Sequence, residues 1–272
     1  MAKDTLSKKE AIRRLVHTAV ESYATGFQGR HEGELENPEG TLNMKIHNVF
    51  IAVLGPEIQY YTALVRSLDS SLGNMLEKLA INIAKFSYEV KQSVEGPLSV
   101  KQTQAIAELL EKYKRREIRP PTKKDYQLLR TKPTRQSLIT KRHDSDYYLI
   151  DRETGENFLI ELKIGGDLDN KKARSEKEAL LEQFAILSNT LPDDTKIKLF
   201  FATAYNRFGE GKPWRQERVR QFFADDELLI GKDFWNFVCK FDDGYNIVLE
   251  AYKEKAGLIK SSLDSIKKTY LG

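Results

Sequence analysis

Cysteine is almost absent from this sequence, in which Cys239 is the only one among 272 residues. A single cysteine excludes an internal disulfide, so a packed core must hold the fold, and the 40% of hydrophobic residues can form one. Cys239 ends the apolar stretch 234–239, a setting that favours a buried thiol over a nucleophile. No zinc cluster is expected, because metal-ligand spacing is missing from the four histidines, His17, His31, His47 and His143.

Long hydrophobic runs are missing as well. No uncharged run approaches the roughly 20 residues that a membrane span needs, and residues 1–5 lack the apolar core of a secretory signal. We therefore expect a soluble, cytoplasmic protein without a membrane partner. The phosphate loop GxxxxGK[ST] is absent, which argues against ATP-driven translocation. A glycine-rich cofactor loop of an associated methyltransferase is also not found.

Positive charge is concentrated in one segment, although the net charge is only +4. Between Lys112 and Arg142 only Glu117 and Asp125 are acidic. Such a local excess favours a polyanion, because phosphate contacts release condensed counterions. A solvated basic face is an equal alternative. The segment contains twelve basic residues: Lys112, Lys114, Arg115, Arg116, Arg119, Lys123, Lys124, Arg130, Lys132, Arg135, Lys141 and Arg142.

Helical spacing of apolar residues dominates the first part of the chain. Ser7 and Glu10 have the spacing of a capping box and predict the start of the first helix. Residues 25–40 are rich in glycine and charge and predict a loop. The pattern then predicts helices over 42–54, about 70–90 and 99–116, a break at Gly96-Pro97, and an extended basic segment from Pro120 to Arg142.

The centre of the chain is β-like. Asp146–Asp151 and Asn157–Ile164 are aromatic and β-branched, and the turn residues 152–155 between them predict a hairpin. Beyond it we expect a helix over 175–189, a buried strand over 196–204, helices over 215–224 and 233–240, and a strand or helix over 245–251. The fold class is α/β (α+β), a mixed sheet flanked by helices. One domain is expected, with a helical region 1–68, a core 69–240 and an element 241–272.

The hairpin brings three charged side chains together. If residues 152–155 form its loop, Asp146 lies directly opposite Glu161. A two-residue turn at Thr154-Gly155 would put Asp146 opposite Lys163 instead. Either register leaves Asp146, Glu161 and Lys163 on one face, because side chains alternate along a strand. A surface ion-pair ladder has the same pattern, so spacing alone does not establish a site.

Two carboxylates and an ammonium suit phosphodiester hydrolysis. Asp and Glu oxygens hold Mg²⁺ and leave coordination positions for water and phosphate. The metal acidifies water and polarises the phosphate, and a lysine can position that water or stabilise negative charge. The expected cofactor is Mg²⁺, with Mn²⁺ as a substitute.

The pattern Asp146…Glu161-Leu162-Lys163 resembles the motif of the PD-(D/E)xK nuclease superfamily. The resemblance implies that Asp146 and Glu161 bind the metal with help from the Leu162 carbonyl, and that Lys163 orients the attacking water. The proline that often precedes the aspartate is absent, since Ser145 stands there. Asp144 lies on the same strand face and is therefore a rival for the first carboxylate.

The resemblance extends to flanking elements. The upstream helix of the superfamily often carries an acidic residue, and the stretch that ends in Glu77 resembles that element. A solvated glutamate at this position is an equal alternative. The helix after the ExK motif flanks the active site in the family, which implies that Gln183 supports the site. Asp167 and Asp169 are expected to be turn residues, and His143 is expected at the surface. By the same analogy three residues contact DNA phosphates: Lys171, Lys172 and Arg174.

Residues 205–215 mix basic, aromatic and glycine residues after a buried strand. Arg207, Lys212 and Arg215 can donate to guanine O6 and N7 in the major groove, although phosphate contact or a solvated loop fits equally well. The stretch Gly231-Lys232-Asp233-Phe234-Trp235 resembles one near the end of several type II restriction endonucleases, where we expect core packing.

Taken together, the chain is similar to type II restriction endonucleases, and within them to the TdeIII-like group. The similarity implies double-stranded DNA as substrate, a homodimer, a separate cognate methyltransferase and a short palindromic site, for example one of the GGNCC kind. Two alternatives remain open. One is a repair or junction-resolving nuclease with the same core, and the other is a catalytically silent DNA-binding protein.

Overall fold

The structure is a computed structural model that describes residues 2–130, 138–165 and 168–272. The chain forms two compact units, one of residues 1–83 with 246–272 and one of residues 84–245. Its helices are α1 Ala2–Gly33, α2 Val49–Ala52, α3 Pro56–Ala84, α4 Val100–Lys114, α5 Asn170–Thr190, α6 Glu217–Arg220, α7 Lys232–Cys239 and α8 Gly244–Leu271, with 3-10 helices at Asn43–His47, Lys123–Arg130 and Asp225–Glu227. Its strands are β1 Tyr88–Ser99, β2 Leu138–Asp151, β3 Asn157–Leu162, β4 Ile197–Thr203 and β5 Leu228–Ile230.

The first unit is helical. Phe27 of α1, Tyr60 of α3 and Ile266 of α8 belong to one buried cluster. α1 starts before Ser7 and continues through residues 25–33, where the sequence predicted a loop. The reason is a stripe of buried side chains at helical spacing that outweighs the glycines. Its members are Val16, Val20, Ala24, Phe27 and His31.

The second unit contains a five-stranded mixed sheet in the order β1-β2-β3-β4-β5. β1 with β2 and β2 with β3 are antiparallel, whereas β3 with β4 and β4 with β5 are parallel. Helices α4 and α5 pack on one face through Leu110 and Phe184. α7 lies on the other face, where Phe237 stacks on Tyr88 with ring centroids 5.5 Å apart. The predicted mixed sheet with flanking helices is confirmed.

Strand β1 was not predicted. The sequence indicated a helix to residue 90 and a chain break at Gly96-Pro97, but both residues lie inside the strand. Proline is tolerated there because β1 is an edge strand. Gly96 is needed, since a Cβ at this position would come within 2.8 Å of Ile186 and 2.9 Å of Thr190 on α5.

Several further expectations are settled by the structure. Residues 245–251, for which a strand and a helix were both considered, lie in helix α8. The helix that was predicted to start at about residue 70 begins at Pro56. The segment expected to be extended contains a 3-10 helix at Lys123–Arg130, because Tyr126 and Leu129 turn into the core. Cys239 is buried, as expected. In the parts of the chain that are described, no helix is both long and apolar enough to cross a membrane.

Candidate active site

The hairpin has the register of the four-residue loop. Tyr147 pairs with Ile160 and Ile150 with Asn157, and the Asp151 amide donates to the Glu156 carbonyl at 2.9 Å. The first of the two predicted registers is therefore confirmed. Extending it by one residue places Asp146 opposite Glu161, on the face that α5 covers.

A β-bulge re-aims the strand at Asp146. Lys91 of β1 pairs with Tyr148, and Ser93 pairs with Asp144, so three residues of β2 lie opposite the single residue Gln92. A bulge of this kind changes the direction of a side chain and is frequent beside active sites. Here the Asp146 carboxylate accepts a hydrogen bond from the Leu162 amide at 3.1 Å, which ties it to the ExK segment.

Asp144, the rival carboxylate, points elsewhere. Its side chain is 93% exposed, and its ion-pair partner is Arg142 at 3.9 Å. The structure therefore brings Asp146, and not Asp144, to Glu161 and Lys163. The sequence could not separate the two aspartates because both stand at alternate positions of a regular strand, and the bulge interrupts that alternation.

Lys163 lies between two carboxylates. Its Nζ is 2.5 Å from Glu161 Oε1 and 3.2 Å from Glu176 Oε1. Glu176 stands on α5, and sequence analysis did not single it out because the helix was predicted to begin at about residue 175. It begins at Asn170. The helical spacing of Ala173, Glu176 and Leu180 was the signal that could have placed Glu176 on the sheet-facing side.

The site is short of positive charge. Burial raises the pKa of Glu161 to about 8, and the neighbouring Asp146 carboxylate adds to the rise. Burial lowers the pKa of Lys163, but the Glu161 carboxylate and then Glu176 outweigh it, so that the net shift is upward. A buried glutamate whose pKa is raised next to a second carboxylate favours a bound cation.

The donor set suits a hard divalent cation. In the described ranges no group of three or more His, Cys, Asp or Glu side chains is placed to hold a metal. Asp146 and Glu161 are a pair of oxygen donors, one partly exposed and one 9% exposed. Mg²⁺ is commonly held by one or two carboxylates together with water and substrate phosphate, so the pair fits this metal.

A second charged cluster lies on the same face of β2. The Glu182 carboxylate of α5 is 2.5 Å from Lys141 Nζ and 2.7 Å from His143 Nε2. Glu182 is 4% exposed, and the His143 side chain is 16% exposed. His143 is thus largely covered, whereas a surface position was expected. The cluster fastens the basic half of β2 to α5.

This cluster predicts a pH-dependent stability. Burial opposes ionisation of Glu182, but His143 and then Lys141 hold its pKa below the usual range. A lowered folded-state pKa stabilises the protein above the ordinary glutamate value of about 4.3, and the contribution disappears as pH falls through the folded-state value. Glu182→Gln is expected to lower the free energy of unfolding by about 1 kcal/mol at pH 7, since Lys141 is partly solvated. The difference should shrink below about pH 4.

Urea unfolding at pH 7, 5 and 3.5 measures this effect. Glu178→Gln is the matched control, because Glu178 lies on the same helix but is partly exposed. A difference between Glu182→Gln and wild type that is the same at all three pH values would contradict the assigned role of the carboxylate.

The predicted phosphate-contacting residues lie at the start of α5. Lys171 and Lys172 are exposed, and Arg174 is partly exposed. Asp169, expected in a turn, caps this helix and accepts from the Lys172 amide at 2.8 Å. Asp167 lies outside the described residues. Because α5 also carries Glu176 to Lys163, its basic first turn and the candidate site belong to one element.

The predicted base-reading residues lie in the loop between β4 and α6. Arg207, Lys212 and Arg215 are all exposed. The start of this loop meets the end of the ExK strand, since a Cβ at Gly165 would lie 2.6 Å from the Tyr205 hydroxyl. Gly165 therefore permits a close approach between the loop and the strand that carries Lys163.

Several basic residues between positions 112 and 142 are paired with acids. Lys114 and Arg115 contact Glu111 on the same helix, and more distant acids, Glu217 and Asp226, neutralise two others. These pairs are Arg119–Glu217 and Lys123–Asp226. Lys132 and Arg135 lie outside the described residues. The pairing favours the solvated basic face over a continuous polyanion-binding surface.

Two predicted supporting residues have different outcomes. Gln183 is buried on α5, and its Oε1 accepts no hydrogen bond within the described part of the chain. Glu77 lies on α3 in the other compact unit, so its place in the site stays a prediction.

Phe234 and Trp235 are buried, and the Trp235 Nε1–H donates to the Ala204 carbonyl at 2.8 Å, which confirms their packing role.

Comparison with known proteins identifies a family. The model of a family described as "Type II restriction endonuclease, HinfI" matches residues 9–256. No curated protein and no solved structure matches the chain. The matched range includes the hairpin and helix α5, which together form the candidate site.

Proposed function

The chain belongs to the HinfI family of type II restriction endonucleases, and we propose that it cuts both strands of DNA at a short palindrome with Mg²⁺ at the Asp146–Glu161–Lys163 site. Type II restriction endonucleases are nucleases that bind DNA and generally use divalent metal ions. The proposal adds the metal, the residues and the symmetry of the target. The charges of the site resemble those of the PD-(D/E)xK motif, which supports the proposal, and Mn²⁺ is expected to replace Mg²⁺.

One observation carries the proposal. The hairpin register and the bulge bring the Asp146 carboxylate to the Leu162 amide, next to Glu161 and Lys163. A surface ion-pair ladder would leave such groups in water, yet Glu161 is 9% exposed. Burying one carboxylate next to a second one is costly unless a cation compensates them. A structural role does not account for that arrangement as well as a metal site does.

Each group of the site has a distinct task. Asp146 and Glu161 would hold the metal, with the Leu162 carbonyl as a further oxygen donor. When bound, the metal polarises the phosphate and promotes deprotonation of the attacking water. Lys163 orients that water and offsets the charge that develops on the phosphate. Glu176 holds the Lys163 ammonium through a second ion pair at 3.2 Å.

DNA contacts divide between two regions. Exposed Lys171 and Lys172, with Arg174, offer positive charge at the start of α5, where the free amides of the helix also attract phosphate. Arg207, Lys212 and Arg215 are assigned to the major groove. The Tyr205–Gly165 approach supports this assignment, because it keeps that loop beside the cutting strand.

The remaining partners follow from the reaction. Both strands of a palindrome are cut symmetrically by a two-fold homodimer, and a separate cognate methyltransferase protects the same sequence. Within type II restriction endonucleases we propose a relationship to the TdeIII-like group and a recognition site of the GGNCC kind. The proposed compartment is the cytoplasm. A repair or junction-resolving nuclease is the runner-up. Discrete fragments from a long duplex favour restriction, and a demand for branched DNA favours the runner-up.

Lys163→Ala tests the catalytic assignment. Loss of an aligned positive group is expected to slow cleavage of supercoiled DNA on the order of 100-fold with Mg²⁺, while DNA binding stays within about threefold. Single-turnover cleavage rates and a binding titration measure the two effects separately.

Lys198→Ala is the matched control for this test. Lys198 is also a strand lysine paired to a glutamate, with its Nζ 2.9 Å from Glu156, but it lies on β4 away from the proposed metal ligands. This control should cut like wild type. Cleavage by Lys163→Ala at the wild-type rate would contradict the proposed mechanism.

A further inference from the structure

An exposed apolar surface lies in the first compact unit, between α1 and α3. Its large side chains are between 54% and 82% exposed, with Phe50 at 82% and Val53 at 81%. Isolated exposed apolar residues are ordinary, but a contiguous apolar surface of this kind marks an interaction site. We call it the 44–54 face, and it consists of Met44, Ile46, Val49, Phe50, Val53 and Leu54.

The two short helices that carry this face have no buried residues and therefore little packing to stabilise them. α2 has four residues, and neither α2 nor the 3-10 helix Asn43–His47 contains a buried residue. Helices of one turn have little stability of their own and depend on packing of an apolar face. The packing that would stabilise these turns is therefore supplied from outside the first unit.

An apolar cavity adjoins the face. It has a volume of about 420 Å³, and its lining includes Leu42, Ile46, Pro56 and Tyr60. The Tyr60 hydroxyl is buried and has no hydrogen-bond partner among the residues that the structure describes. A buried hydroxyl normally has a partner, so the cavity is suited to receive a side chain together with a polar group.

Charge selects the class of occupant. Residues 41–55 contain no acid, and their only basic side chains are Lys45 and His47. Nucleic acid is bound through many cations, which this face lacks. Two copies of a nearly uncharged surface can meet without strong like-charge repulsion, as an isologous contact requires.

The area also fits a second copy. Six apolar residues exposed by more than half leave roughly 700 Å² for contact, taking on the order of 150–200 Å² for each large side chain. Specific interfaces bury about 800 Å² on each partner. The described residues contain one Asp146–Glu161–Lys163 centre per chain, whereas double-strand cutting uses two.

We propose that the 44–54 face is the centre of a two-fold dimer interface between copies of this chain, with Phe50 as the anchoring side chain. The need for two catalytic centres rests on the proposed function. The location of the interface rests on the exposed side chains of the 44–54 face, the lack of buried residues in its two short helices, and its contact area. Aromatic anchors near the centre of an interface carry much of the binding energy.

Sedimentation velocity of the full chain without DNA tests the interface. Wild type is expected to sediment as a dimer of 31.3 kDa chains at micromolar concentration. Phe50→Ala should raise the dimer dissociation constant at least about 30-fold, and Val53→Asp should abolish the dimer. Leu6→Asp is the matched control, because Leu6 is 70% exposed in the same unit outside the face, and it should stay dimeric.

The outcomes separate this interface from the nuclease assignment. Lys163→Ala should dimerise like wild type. A wild-type dimer that cleaves no DNA would overturn the nuclease assignment and leave the interface standing. A monomeric wild type, or a Val53→Asp protein that remains a dimer, overturns the interface. Protection of the face by DNA or by anionic vesicles in a monomeric wild type also overturns it. If Val53→Asp does not fold, judged by circular dichroism, Phe50→Ala decides.

Discussion

Asp146→Asn is expected to slow DNA cleavage at least about 10³-fold, whereas Asp144→Asn is expected to cut within about twofold of wild type. A catalytic metal contributes several kcal/mol to transition-state stabilisation, and about 4 kcal/mol corresponds to 10³-fold. Asp146 contacts the ExK segment through the Leu162 amide, but the Asp144 side chain is 93% exposed. The two aspartates are two positions apart, which makes the second an unusually close control.

Two measurements make this test specific. Single-turnover cleavage on a substrate with mapped sites gives the rate, and titration with Mn²⁺ shows how much more metal Asp146→Asn needs to reach half of its maximal rate. DNA binding without divalent metal should be unchanged or tighter, because a carboxylate that repels phosphate has been neutralised. If Asp144→Asn loses cleavage and Asp146→Asn does not, the first metal ligand has been assigned to the wrong residue.

Glu227→Ala is expected to lower the free energy of unfolding by roughly 3–5 kcal/mol, because it leaves a buried lysine without its counter-charge. Lys177 is fully buried, and its Nζ lies 2.7 Å from Glu227 Oε2. The same carboxylate accepts from the Tyr126 hydroxyl at 2.6 Å and the Ala224 amide at 2.9 Å. The Lys177 ammonium also lies 4.8 Å from the ring centroid of Phe223.

A double substitution tests the cause of this loss. Burial lowers the pKa of Lys177 and Glu227 opposes the shift, so removal of the glutamate alone exposes the full cost of burying the ammonium. Lys177→Met combined with Glu227→Gln removes both charges and keeps an acceptor for Tyr126. It should recover more than half of the lost stability, since apolar replacement of a buried ion pair is often nearly neutral. Urea unfolding gives the values, and a cost of Glu227→Ala under about 1 kcal/mol would refute the role of the pair.

The sequence predicts those parts of the site that depend on neighbours along the chain. The hairpin of β2 and β3 is local, so loop length alone selects its register and brings Asp146 to Glu161. The choice between Asp144 and Asp146 depends on Gln92, which lies opposite the bulge on a strand more than fifty residues upstream. No pattern within the hairpin contains that information.

Longer-range partners show the same limit. Glu227 reaches Lys177 across fifty residues, and β1 acquires its strand conformation by pairing with β2 rather than from its own propensity. The basic segment shows the converse. Its excess of charge is plain in the sequence, but Glu217 and Asp226, which neutralise Arg119 and Lys123, lie about a hundred residues away. Charge runs therefore predict a surface better than they predict its ligand.

The bulge at Asp146 also has a consequence for how this protein can change over evolutionary time. It divides β2 into two segments with separate registers against β1, a distal one with Lys141 and His143 and a proximal one that also pairs with β3. A substitution or small length change in the distal segment is absorbed at the bulge and leaves the proximal register in place. Residues 138–144 of β2 can therefore change in sequence while the geometry of the Asp146–Glu161–Lys163 site stays the same.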